Sequence, residues 1–323
     1  MDQPSPLLTD PQEGTVRNFI SVALLAGLFA FTARGQTSEE LDKRERCAVR
    51  LSIALMGKAP TQDLLQSVDP QALADAMLDT TDFIERFARF TNTSFNRGPG
   101  MTSEEDAPYY VAWEVLSKHK PWRDLFIGQY RVEKNAADAV VVMPDPNGLG
   151  YMRSPAWLKR YAGNEPNGVK LSTAYRIFNN VIGLKLTPST NSPDADITAT
   201  GREASGCRAC HYDGLFALDT ASSVLSTRVG TGATMTFTPP TLTAPVTMLG
   251  GIQVSNDKEL VTALTNSESF NFRTCRMAFE FLYGRRENRC EGPVFDRCMK
   301  EFRTQGTLQA AIATVVKDPS FCQ

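Results

Sequence analysis

The sequence predicts a mainly helical, all-α protein interrupted by long irregular loops, and three observations carry that expectation. Apolar residues recur at helical spacing through most of the chain after residue 36. Capping residues stand ahead of those runs, and glycine or proline stands behind them. Two stretches, 187–206 and 229–256, lack the period and are crowded with turn-forming residues instead. With 323 residues, 42% of them hydrophobic and 22% charged, the chain can bury a sizeable core as one large or two modest domains.

The first segment stands apart from this helical texture. Asn18 to Ala33 (NFISVALLAGLFAFTA) carries no charge, follows Arg17, and leads into the small-x-small pattern Ala33-Arg34-Gly35. At about 15 apolar residues it suits a signal peptide better than a spanning helix, which needs about 20. Residues 1–35 are therefore read as an export signal, with a retained membrane anchor or a buried helix as alternatives.

Helices follow over 36–140. Thr37-Ser38-Glu39-Glu40 reads as a capping box, and Leu41, Ala48, Leu51 and Leu55 form one stripe that stops at Gly57. Asp69-Pro70 supplies an N-cap and a first-turn proline, with Leu73, Ala76 and Met77 inward. Asp82 and Glu85 open a third helix whose Phe83, Phe87 and Phe90 read as core, and residues 106–118 form a fourth. The Val-rich run between Val140 and Gly150 breaks at Pro144, Pro146 and Gly148, which predicts a loop or boundary opening a connecting segment, 141–206.

The remaining part, 207–323, has two textures. Val229 to Asn256 contains no charged residue, so it is expected to lie against an apolar surface or to form short strands and turns. Asn256-x-x-Glu259 then caps Leu260 to Leu264. Phe272, Cys275, Phe279 and Leu282 form a stripe ending at Gly284, Val294, Cys298 and Phe302 form another, and residues 311–316 close the chain ahead of Asp318-Pro319.

Charge excludes some functions. Lys plus Arg total 34 against 36 Asp plus Glu, so no bulk charge favours nucleic acid or an anionic membrane. The chain shows no Ser-His-Asp set, no phosphate loop and no convincing pair of catalytic carboxylates. Its only histidines are His119 and His211.

One of the two falls in GCRACHYDG, residues 206–214. Cys207, Cys210 and His211 form C-x-x-C-H, which supplies two thiols to add across the vinyl groups of a haem and an adjacent imidazole to ligate the iron. A zinc site needs about four ligands, and no second C-x-x-C pair exists. A redox dithiol is expected at a strand-to-helix junction, whereas a Pro/Ser/Thr loop precedes this motif. Attachment of one covalent haem c, with His211 as the proximal ligand, is the favoured reading over zinc, dithiol and coincidence.

Several further stretches resemble the planctomycete-type cytochrome c-like family, bacterial proteins with helical domains of uncharacterised function around a C-x-x-C-H motif. GYMRSPAWL at 150–158 is similar to the family's G-L-L-T-x-x-x-x-L stretch. The proline-rich approach at 187–206 and the Asp213, Gly214, Phe216, Ala217, Leu218 continuation also resemble it. So do Leu260 to Phe270, the Tyr283-Gly284-Arg285 turn, and the early helices RLSIALMGKAPTQDLL and MLDTTDFIERFARF. The resemblance implies haem binding and a cytochrome c-like C-terminal part over 207–323; it implies no particular reaction.

Methionine is the expected distal ligand. Met248 and Met235 lie in the uncharged stretch after the motif, where a class I cytochrome brings its methionine, and Met248 is favoured over Met235 and Met152. His119, between Lys118 and Lys120, reads instead as an exposed residue at a helix C-terminus. Five cysteines remain, Cys47, Cys275, Cys290, Cys298 and Cys322, and disulfides that staple the C-terminal helices are expected. Cys290–Cys298 is the easiest bridge and Cys275–Cys322 the natural second, while Cys47 could pair with a C-terminal cysteine and tie the ends together. Arg273, Arg276, Arg285, Arg286 and Arg289 read as solvated helix faces, or as partners for a haem propionate or an acidic redox protein.

These residues predict an exported mono-haem protein, periplasmic or otherwise outside the cytoplasm, that passes single electrons to a redox partner protein. A haem enzyme with an open distal site, of peroxidase type or a haem-bearing subunit of a degradative system, is the alternative. A structural module without haem is the third possibility. No nucleic acid is expected as a partner, and the membrane only through an uncleaved N-terminal segment.

Overall fold

The computed structural model describes residues 37–96, 98–100, 104–161, 170–186, 194, 196–230, 234–240 and 242–323. The candidate signal at 1–35 and most of the Pro/Ser/Thr-rich stretch 187–195 lie outside them. The chain is mostly helical, 61% against 8% strand, in keeping with the all-α expectation. Among the described residues no helix is long and apolar enough to cross a membrane.

Helix α1 (Ser38–Met56) buries Cys47, Ala48, Leu51, Ser52, Ala54 and Leu55 and ends at Gly57. Leu41, expected on that stripe, is exposed, because the first two turns bury nothing. Thr61 caps α2 (Gln62–Gln66). Asp69 then accepts the Gln71 N–H and opens a 3-10 turn, Pro70–Leu73, which runs into α3 (Ala74–Leu78). The tight turn has about three residues per turn rather than 3.6, which rotates the inward face. Ala74, Met77 and Leu78 are buried in consequence, and Leu73 and Ala76 are not.

Helix α4 (Thr81–Phe95) is capped by Thr80 rather than Asp82, its hydroxyl accepting the Phe83 N–H at 3.3 Å. Phe83 and Phe87 are fully buried, and Phe87 meets Phe281 and Trp122 at ring distances of 4.8 and 5.8 Å, so the phenylalanine stripe is core. Helix α5 (Ala107–Ser117) sits between Asp106 and Lys118, and α6 (Asp124–Ile127) follows. Strands β1 (Tyr130–Lys134) and β2 (Val140–Pro144) pair as an antiparallel hairpin with Val132 opposite Val142. The Val-rich run at 140–144 pairs as a strand, and it ends at Pro144, the first of the breaks expected to mark a loop or boundary.

Helices α7 (Pro155–Tyr161) and α8 (Leu171–Ile182) lead to two short helices, α9 (Ala199–Arg202) and α10 (Ser205–Arg208), then to α11 (Leu218–Ser223). The uncharged stretch forms one small hairpin, β5 (Val246–Met248) with β6 (Ile252–Val254), and supplies β4 (Thr236–Thr238) of a second, whose partner β3 (Thr227–Val229) starts before the stretch and carries Arg228. Asn256 caps α12 (Asp257–Thr265) as expected, accepting the Glu259 N–H at 2.9 Å. Helices α13 (Glu268–Tyr283), α14 (Gly292–Gln305) and α15 (Leu308–Val316) and a 3-10 turn, Pro319–Cys322, complete the fold.

Ser38–Gln323 form one unit, with a core drawn from the 36–140, 141–206 and 207–323 segments alike. Two disulfides pin it. Cys47 of α1 bonds Cys322 of the last turn, the tie between the ends named as a possibility by the sequence. Cys275 of α13 bonds Cys298 of α14, not Cys322, and Cys290 is an exposed free thiol. The expected Cys290–Cys298 bridge fails on geometry. Eight residues of helical rise separate that pair by about 12 Å, whereas bridged Cα atoms lie within about 7 Å. Cys275 and Cys298 face each other across α13 and α14, Cα atoms 5.9 Å apart and both fully buried.

Candidate functional site

Arg202 ends α9, whose first turn is capped by Thr198. Three residues later α10 begins, and it passes directly into a wider π-helical turn, Ala209–Asp213. Such turns are rare and recur at functional positions. Gly214 closes the turn where the backbone crowds: a Cβ there would collide with the Ala209 carbonyl. Cys207 therefore lies on the last turn of α10, and Cys210 and His211 lie within the π turn. Both thiols are unpaired; Cys207 is half-buried and Cys210 exposed.

His211 is fixed by a residue that sequence reasoning did not single out. Its Nδ1 lies 2.6 Å from Oδ2 of Asp219, in the first turn of α11. Arg202 grips the same carboxylate, with Nε 3.2 and 3.0 Å from Oδ1 and Oδ2, and Nη2 2.8 Å from Oδ1. The Arg202 and Asp219 side chains are 12% and 10% exposed, so water screens this pair little. The third guanidinium nitrogen of Arg202, Nη1, donates to the Ile197 carbonyl. Asp219 also acts on Tyr212, whose phenol is pushed up by burial first and by the nearby carboxylate second.

A carboxylate can only accept, so Nδ1 of His211 carries the proton and donates it to Asp219. The lone pair of Nε2 is then left for another partner. This is how proteins orient a metal-bound imidazole: the second nitrogen is committed to an acceptor, which fixes the tautomer and raises ligand basicity. The donor set is one oriented imidazole beside two free thiols. That suits a haem, which asks the chain for one axial nitrogen and two thiols; it does not suit zinc. Among the described residues no group of three or more His, Cys, Asp and Glu could hold a bare metal ion. Two short helices, not a strand, lead into the motif, so the setting expected for a redox dithiol is not found there.

The segment after the motif is anchored in the core. The Phe216 ring meets Phe178 of α8 edge-on at 5.6 Å, and Ala217 and Leu218 are buried. The Leu249 N–H donates to the Leu215 carbonyl at 3.2 Å, so the turn of the β5–β6 hairpin touches the chain just after His211. Met248, the preceding residue, is 4% exposed within the common core, and Met235 is half-buried. Met152 is buried with Trp157 beside the cavity that holds Lys170. Burial pushes the Lys170 ammonium down, and its Nζ donates to the Leu225 carbonyl at 2.5 Å. His119 is exposed after the end of α5, 3.5 Å from Asp79.

Four of the five C-terminal arginines, Arg273, Arg276, Arg285 and Arg286, are paired with carboxylates, and Arg289 is exposed. Arg276 meets Glu287, Arg285 meets Glu291 at 2.7 Å, and Arg273 and Arg286 share Glu280 at 2.8 and 3.3 Å. The family-like stretch GYMRSPAWL is mostly core material: Tyr151, Met152 and Trp157 are buried, and Arg153 binds Asp257. Asp219 and Arg202 were not legible as site residues because no motif or period links them to Cys207, Cys210 and His211; turn geometry brings them together. Compared with protein-family models, with curated proteins and with solved structures, the chain matches none of them.

Proposed function

We propose that the protein carries one covalent haem c on Cys207 and Cys210, with His211 as the proximal ligand, and that it exchanges single electrons with a redox partner protein. The observation that carries this reading is the orientation of His211: Asp219 takes Nδ1 at 2.6 Å and leaves Nε2 available beside two unpaired thiols. The resemblance to the cytochrome c-like family and the apolar N-terminal segment support it. Two disulfides elsewhere in the chain fit an oxidising compartment such as the periplasm.

Each residue then has a task. Cys207 and Cys210 would hold the macrocycle through thioether bonds, and His211 would supply the axial nitrogen. Asp219 would keep the imidazole in one tautomer and one orientation, and Arg202 would hold Asp219. Met248 is the proposed distal partner. The bound iron supplies the one-electron change between ferrous and ferric states; the polypeptide supplies position and local charge.

Expression alongside a c-type haem maturation system tests the proposal. The expected result is a pyridine haemochrome spectrum and a Soret band that survive acid-acetone extraction, both lost in the Cys207→Ser, Cys210→Ser double variant. A fully folded protein that leaves maturation without covalent haem sinks the reading and favours a structural module.

A further inference from the structure

Resting on the haem reading above, we infer that Asp219 and Arg202 are opposed potential-setting residues: Asp219 draws the reduction potential down through His211, and Arg202 restrains that pull. The geometry assigns the two roles. At 2.6 Å the Nδ1–Oδ2 contact has the length of a charge-assisted hydrogen bond. A carboxylate accepting from Nδ1 shifts electron density onto the ring, so Nε2 becomes a stronger donor. A stronger donor stabilises the ferric state over the ferrous, which lowers the potential.

Arg202 acts in the opposite sense. Its Nε is 3.0 Å from the Oδ2 that also takes the imidazole proton, so guanidinium and imidazole compete for one oxygen. Its Nη2 at 2.8 Å withdraws further charge through Oδ1. Both side chains are about nine-tenths buried, which keeps the competition from being screened away. The exposed pair beside it is different: Arg208 meets Asp213 at 2.5 Å with both side chains about half open to water. That pair supplies an internal control.

The test uses the full-length, haem-loaded protein. Redox titration compares wild type with Asp219→Asn, Arg202→Gln and Arg208→Gln, with haem content read from each haemochrome. Asp219→Asn is expected to raise the potential by at least a tenfold change in the ferric-to-ferrous ratio, about 59 mV for a one-electron couple. Arg202→Gln is expected to lower it, and Arg208→Gln to move it much less. Equal shifts in both arginine variants, or shifts of one sign in Asp219→Asn and Arg202→Gln, overturn the inference while leaving the haem assignment intact. Absence of haem from the wild type overturns the assignment itself. Should Asp219→Asn fail to mature, the sign of the Arg202→Gln shift decides alone, and no shift or an upward one overturns the inference.

Discussion

Cys47 and Cys322 are bonded to each other across 275 residues of sequence, joining the first helix to the last turn. The junction is reinforced around the sulfurs. Arg50, one turn beyond Cys47, donates to the Gln323 carbonyl at 2.9 Å and lies 4.9 Å from the centre of the Phe321 ring. The bridge closes nearly the whole described chain into one loop, so it removes conformational freedom chiefly from the unfolded state.

Breaking that bridge should therefore cost more than the change in local packing suggests. The Cys47→Ser, Cys322→Ser double variant is expected to lose about 2–4 kcal/mol of unfolding free energy. Cys290→Ser, which removes an exposed free thiol, should stay within about 0.5 kcal/mol of wild type. Urea unfolding followed by circular dichroism checks both. A double variant as stable as Cys290→Ser would show that noncovalent packing already holds the ends together.

Gly150 follows the buried Leu149, and its role is conformational. Its φ is +51°, its N–H donates to the Gly128 carbonyl at 2.7 Å, and a Cβ would run into the Leu125 carbonyl. Gly150→Ala combines left-handed strain with a backbone clash and is expected to cost about 3 kcal/mol or more. Thermal unfolding measures the loss; an unchanged midpoint would mean that the α6–β1 region moves aside freely.

Local chemistry was the legible part of this fold. Asn256 with Glu259 marks a helix start because a cap is decided within four residues. The 229–256 stretch reads as short strands and turns for the same local reason. What was not legible depends on docking. Which cysteine meets Cys298 follows from α13 lying antiparallel to α14, and the strand at 140–144 follows from a partner ten residues earlier. The candidate site divides along the same line. Cys207, Cys210 and His211 are one contiguous motif, whereas Arg202 and Asp219 are 17 residues apart and meet only through the turns between α9 and α11.

Glu291 gives a pH-dependent prediction. Arg285 holds its carboxyl below the ordinary range by hydrogen bonds at 2.7 and 2.8 Å, with partial burial opposing and the Asn288 N–H adding to the pull. A carboxyl lowered in the folded state stabilises above its unfolded value, about 4.3, and loses that contribution as pH falls through the folded value. Glu291→Gln keeps an acceptor for the Asn288 N–H and removes only the charge. It should be less stable than wild type at pH 7 by under about 1 kcal/mol, and the gap should narrow as pH falls below about 4. A gap that does not narrow as pH falls would assign the loss to the cap rather than to the ion pair.

Met248 separates two consequences of one buried side chain. It is 4% exposed in the core, so Met248→Ala removes packing and is expected to cost about 2–5 kcal/mol whether or not the sulfur binds iron. Met248→Leu keeps nearly the same volume and should cost less than about 1.5 kcal/mol. Only loss of the thioether then distinguishes that variant from wild type. With Met248 as the distal ligand, the ferric haem-loaded wild type shows the weak methionine-to-iron absorption band near the red edge, and Met248→Leu loses it while remaining folded. A band that survives in Met248→Leu moves the distal assignment to Met235 or Met152, and its absence from the wild type leaves an open or differently ligated iron, the arrangement expected of a haem enzyme rather than a carrier.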